Sequence, residues 1–174
     1  VIPEKNVPIK WMLMDDGWLN VTGRLLNDFE PDKEKVPHAF AQMIKDIREE
    51  NGVKWFGVWH TLAGYWDGVT PESKLAKMQK EHLFETVNGL LLPDPKQNGE
   101  MFFVDWYTYL KSQGIDFTKV DGQSNVREHY EDTMPVSEAA KGSNAALEKA
   151  SMWMQGAVIN CMGMAMENVV ARPN

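Results

Sequence analysis

The chain has 174 residues, 43% of them hydrophobic, a formal net charge of −7 and a single cysteine. This is enough apolar content for one packed core, and the acidic balance argues against a nucleic-acid partner, whose phosphates need clustered Lys and Arg. No apolar run approaches the roughly 20 residues that span a bilayer, Cys161 has no second cysteine to pair with, and four histidines without ligand spacing give no reason to expect a metal or other cofactor.

Residues 9–14 read as an apolar strand ending in Asp15-Asp16-Gly17-Trp18, followed by a polar loop containing Asn20, Gly23, Asp28 and Pro31. Helical periodicity over 37–50 places Phe40, Met43, Ile44 and Ile47 on one face, and Asn51-Gly52 stops the helix. A second strand is expected over 53–59, with His60 at its end. A glycine- and aromatic-rich loop (61–71) leads to a helix over 72–80. Segment 83–98 is ambiguous, with Leu90-Leu91-Leu92 either a short strand or a packed loop. A helix over 100–113 stops at Gly114, and 115–121 is the third strand. Ser137 is placed as the cap of a helix reaching residue 154, with Glu138 adding favourable charge in its first turn, and 157–162 is the fourth strand. Trp11, Trp55, Trp106 and Trp153 are assigned to the core, and Met162, Met164 and Met166 to packing.

Strand–helix alternation with apolar strands implies a parallel sheet covered by helices, class α/β. A nucleotide-binding doubly wound sheet is disfavoured, because no Gly-rich fingerprint follows any strand. Instead the strands end in Asp15-Asp16, Trp59-His60, Lys119 to Asp121 and Asn160-Cys161. Polar groups at the C-terminal ends of several strands are the (β/α)8 arrangement. A whole barrel takes about 250 residues, so four βα units make a partial (β/α)8 TIM barrel. Residues 1–174 are therefore expected to be part of one catalytic domain lacking the first strand and the later strands. No helix is expected to close the segment before Arg172-Pro173-Asn174. The remainder of the parent polypeptide would complete the barrel; without it, sheet edges and apolar surface would stand bare.

The run Phe117-Thr118-Lys119-Val120-Asp121 carries the chemistry. Residues i and i+2 of a strand share a face, so Lys119 and Asp121 stand together, and the ammonium is expected to hold the carboxylate ionised. An ionised carboxylate fixed at a strand end suits covalent catalysis on a sugar. Each signal has a plainer reading. Asp followed by Gly favours turns, a strand-end Trp59 can be core, His60 can be structural, and Tyr65-Trp66 can either wall a sugar site or pack its own loop.

Four motifs occurring in order, Met12 to Trp18, Gly57-Val58-Trp59-His60, Asp116 to Asp121 and Val158 to Met162, resemble the raffinose synthase and alkaline α-galactosidase branch of glycoside hydrolase family 36. The resemblance spans residues 10–168. It implies a retaining enzyme acting on an α-galactoside or oligosaccharide, with Asp121 as nucleophile and Lys119 contacting sugar hydroxyls. It also implies that Asp15 and Asp16 bind galactose hydroxyls, that Trp59 lies at the sugar, and that Cys161 lines the pocket. Trp18, His60 and Asn160, within the same motifs, join the candidate binding residues. The acid/base aspartate of the family has no match here and is expected outside this chain. Rival readings are galactosyl transfer of the raffinose-synthase type, a barrel that binds carbohydrate without turning it over, and a divalent-metal site built from Asp15, Asp16, His60 and Asp121.

Overall fold

The computed structural model describes residues 8–171. Four parallel strands, β1 (Trp11–Met14), β4 (Trp55–Thr61), β7 (Phe117–Asp121) and β8 (Val158–Asn160), lie side by side in chain order. Trp11 pairs with Trp55, Trp59 with Lys119, Thr61 with Asp121, and Lys119 with Ile159. Order without reversal, with a helix-bearing connection after each strand, is that of consecutive βα units in a (β/α)8 barrel rather than of a doubly wound sheet. The fold is a partial barrel of four such units.

The connections differ from the expected loops in two places. The segment after β1 is a hairpin, β2 (Leu19–Thr22) with β3 (Leu25–Pro31), turning at Gly23. Alternating residues in both arms supply its strands, and its polar outer residues disguise it as loop. The ambiguous segment is a second hairpin, β5 (Leu83–Glu85) with β6 (Leu91–Pro93). Between the hairpins, α1 (Phe40–Asn51) ends at Gly52, whose positive φ lets its N–H reach back to the Arg48 carbonyl. Then α2 (Lys74–Met78) is capped by the Ser73 hydroxyl, which accepts from the Ala76 N–H.

The helix α3 (Gly99–Ser112) buries Phe102, Phe103, Trp106, Tyr107 and Leu110. A one-turn α4 (Val126–His129) follows β7. Next, α5 (Val136–Ser151) starts at Pro135, so Ser137 lies inside its first turn and is not the cap; Glu138 does sit in that turn. Strand β8 stops at Asn160 because Met162 is in the left-handed region (φ 53°). A helix, α6 (Met166–Ala171), does follow it, contrary to the expectation of none. The terminal Arg172-Pro173-Asn174 lies outside the described residues.

Strand alternation sorts the sheet into two faces. Phe56, Val58, His60, Thr118 and Val120 are buried toward the helices. The opposite face carries Trp55, Gly57, Trp59, Phe117, Lys119, Asp121 and Ile159. At its N-terminal end this second face is open: Trp11, Trp55 and Trp153 are about half exposed, at 57%, 51% and 46%, whereas Trp106 alone of the four is core. They fall on the side of the sheet that this half-barrel does not cover. Met162, Met164 and Met166 are also exposed, on a segment that leaves the sheet after β8.

Candidate active site

The C-terminal ends of the strands gather a cluster of charges and aromatic rings. Asp121, at the end of β7, accepts from the indole Nε1–H of Trp59 at 3.0 Å on one oxygen and from the Gly122 N–H at 2.7 Å on the other. Gly122 has a φ of 64°, a conformation that turns its amide back onto the carboxylate and that a side chain would strain. The turn reading of Asp-Gly and the site reading are thus one feature. Trp59 is held in turn by Trp18, whose buried indole stacks on Phe40 and donates to the Trp59 carbonyl at 2.8 Å. Trp18 therefore supports the strand from within the core and offers no surface to a ligand.

Lys119 shares a face with Asp121 but does not pair with it. Its ammonium crosses the adjacent strand to Asp15, Nζ to Oδ2 at 2.7 Å. That hydrogen bond lowers the pKa of Asp15, with the Asp16 amide and the lysine's charge adding to it, and it raises that of Lys119. Two other donors, an indole and a backbone amide, hold Asp121 in place.

Asp16 accepts from the Tyr65 hydroxyl at 3.1 Å and from the Trp66 indole at 3.2 Å. Tyr65 and Trp66 also pack against Trp59, at ring-centroid distances of 5.9 and 5.4 Å. Both aromatic residues belong to this cluster. Cys161 joins it from the end of β8: burial raises its thiol pKa, and a hydrogen bond to Asp121 raises it further.

Besides Trp18, two more of the expected residues point elsewhere. His60 is fully buried on the helix face, its ring 4.5 Å from that of Trp106. A carbonyl can only accept, so His60 Nδ1–H donates to the Thr61 carbonyl at 2.9 Å, leaving Nε2 to accept from the Tyr107 hydroxyl at 3.1 Å. Burial drives its pKa down to about 4. Asn160, in register with helix-facing Val120, accepts from Gln123 at 3.0 Å and supports the loop after β7. With His60 on the other face, the divalent-metal reading loses its imidazole. Among the described residues no group of three or more His, Cys, Asp or Glu side chains could hold a metal ion, and no helix is long and apolar enough to cross a membrane.

Sequence reasoning passed over a polar network beneath Asp121. The Gln123 carboxamide donates to the Val120 carbonyl at 2.9 Å, Asn168 donates to the Gln123 carbonyl at 2.6 Å, and Asn144 donates to Asn168 at 3.1 Å. Gln123, Asn144 and Asn168 are all buried. They tie α5 and α6 to the turn that presents the Gly122 amide. Three amides far apart in sequence leave no spacing signal. Arg24, on the first hairpin, was also passed over.

Fold and strand-end cluster together define a partial (β/α)8 barrel with three aspartates, a lysine and an aromatic wall at its C-terminal strand ends. Residues 26–171 match the family described as raffinose synthase or seed imbibition protein Sip1, and the chain belongs to that family. Its relatives include the probable galactinol–sucrose galactosyltransferase 6 of Arabidopsis thaliana, 27% identical over 151 residues, covering 67% of this chain and 20% of the relative. The galactinol–sucrose galactosyltransferase of Pisum sativum is 36% identical over 96 residues, 45% of this chain and 12% of the relative. The chain thus spans a fifth or less of the length of these relatives. Among solved structures, the α-galactosidase of Thermus thermophilus in complex with stachyose superimposes with a TM-score of 0.61 at 19% identity, over 93% of this chain and 35% of that one. At that identity the likeness concerns the fold alone.

Proposed function

We propose that this chain supplies half of the catalytic barrel of a retaining enzyme acting on α-galactosides, with Asp121 as the nucleophile. The observation that carries this reading is the Asp121 carboxylate, fixed by the Trp59 indole and the Gly122 amide at a strand end and faced by Asp15, Asp16 and Lys119. In the first step one Asp121 oxygen bonds to the anomeric carbon as the glycosidic oxygen leaves and takes a proton. In the second, a hydroxyl gives up its proton, displaces Asp121 and restores the α configuration. Asp15, Asp16 and Lys119 bind galactose hydroxyls, and Cys161 lines the pocket beside the nucleophile.

The proton donor is a carboxylic acid outside this chain. A general acid needs a raised pKa, and Asp15 has the opposite, through Lys119; Asp16 is engaged by Tyr65 and Trp66. The rest of the parent polypeptide contributes that acid and closes the barrel.

A second reading concerns the acceptor. The relatives are named as galactosyltransferases with galactinol and sucrose in their names, which favours transfer to a sugar hydroxyl over transfer to water. Incubating the parent protein with an α-galactoside, with and without sucrose, tests both readings. Galactose release is expected without sucrose and a trisaccharide with it. Asp121→Asn should lower both by at least about a thousandfold. Retained turnover in that variant, or saccharide binding with no turnover in the wild type, would overturn the proposal.

A further inference from the structure

We propose that Arg24 forms, with Trp66 and Asp67, the subsite for the sugar joined to or accepting the galactosyl group; this rests on the reading of Asp121 above. Trp66 stands directly beside the candidate nucleophile. Its indole donates to Asp16, its ring packs on Trp59, and a Cβ at Gly122 would lie 3.8 Å from its Cζ3. The next group outward is Arg24, whose guanidinium carbon sits 5.7 Å above the Trp66 ring centroid.

This placement is built, although Arg24 lies on a hairpin turn. Its carbonyl accepts from the Asp67 N–H at 2.9 Å, and on either side of Leu26 the hairpin is bonded to the aromatic loop: Leu26 N–H to the Gly68 carbonyl and Thr70 N–H to the Leu26 carbonyl, both at 2.9 Å. The side chain is pinned as well, Nε donating to Asp67 Oδ2 at 2.8 Å. The ion pair therefore uses one of the five guanidinium N–H groups. The terminal nitrogens carry no hydrogen bond among the described residues, and the side chain is 59% exposed. A planar cation, clamped on an indole beside the strand-end cluster and with four donors not used by the ion pair, fits a neutral, hydroxyl-rich sugar. The carboxylates beside Trp66 belong to the galactose side of the bond, so the Arg24 donors fall to the sugar beyond it.

The test compares two donors in the parent protein. α-Galactosyl fluoride has no second sugar; raffinose does. Arg24→Ala should lower kcat/KM for raffinose about tenfold or more, chiefly through KM, as expected for losing hydrogen bonds to a charged donor, and leave the fluoride within about twofold. Arg24→Lys should recover part of the loss. Asp67→Asn, which removes the ion pair but not the guanidinium, should cost less than Arg24→Ala on raffinose. Equal losses on both donors would show that Arg24 only braces the aromatic loop, and unchanged kinetics on both would show that it does nothing for either; each result overturns the subsite. A wild-type protein that turns over neither donor would overturn the assignment of Asp121 first and this subsite with it.

Discussion

At the scale of the residue, the indole of Trp59 fixes the direction of the Asp121 carboxylate, while Lys119 is committed to Asp15. Trp59→Phe keeps an aromatic ring at this buried position but removes the N–H together with the pyrrole half of the indole. It is expected to lower kcat of the parent protein by about ten- to a hundredfold with KM little changed, since one hydrogen bond to a charged acceptor is worth about 1.5–3 kcal/mol. Steady-state kinetics check this, and an unchanged kcat would contradict it. The shared face was legible beforehand, because the period of two places Lys119 and Asp121 side by side, but the expected contact between them is not formed, Lys119 pairing with Asp15 instead. The same period forbids Trp59 and His60 from sharing a face, as it does Asn160 and Cys161. Reading adjacent strand-end residues as one site ignored that alternation, and His60 and Asn160 were misplaced by it. The partner of Lys119 was not legible, since a long side chain chooses among neighbours on three strands.

Among the elements, the packing of α3 on β4 and β7 makes stability depend on pH through His60. The ring is hydrogen-bonded to the Tyr107 hydroxyl and the Thr61 carbonyl and is fully buried, so desolvation disfavours the charged imidazolium. The folded pKa of about 4 lies below the ordinary value of about 6.5, so between these values the unfolded chain binds more protons. Stability is fully present above about pH 6.5 and falls as pH drops toward 4, by on the order of 3 kcal/mol in all. Urea unfolding of this chain at pH 7 and pH 5 should show the loss, and His60→Gln should flatten it; a pH-independent midpoint in the wild type would contradict the assignment. The network from α6 to the Asp121 turn makes a second prediction. Asn168→Ala removes a bond from the buried Gln123 carbonyl and should destabilise by about 1–3 kcal/mol, read from the same urea curves. The parallel strands and the helices α1, α2, α3 and α5 were legible from periodicity and stop signals, whereas the short α4 and α6 were not. The hairpin β2–β3 was not, because its polar residues face outward and resemble a loop, and Arg24 was lost with it.

For the whole molecule, the open sheet face is the dominant feature. At the end of the strands away from Asp121, Trp11, Trp55, Phe117, Trp153 and Ile159 line a groove of about 560 Å³. Gly57 belongs to the same face, where a Cβ would run into the Phe117 ring, so Gly57→Ala would force that ring to swing toward the open groove. An apolar face of this kind binds hydrophobic dyes and promotes self-association. The chain by itself should do both, and Trp11→Lys with Ile159→Lys should reduce both without lowering its thermal midpoint; a dye-silent, monomeric wild type would contradict this. Barrel topology was legible from strand ends and unit count. Which tryptophans are core was not, because burial on that face depends on strands that this chain does not supply.

The most direct measurement of the proposed chemistry is peptide mass spectrometry of the parent protein after treatment with a 2-deoxy-2-fluoro-α-galactosyl donor, which slows hydrolysis of a glycosyl-enzyme. The account predicts a covalent fluorogalactosyl adduct on Asp121, absent from Asp121→Asn. An adduct on another carboxylate, or turnover of α-galactosides without any adduct, would contradict it.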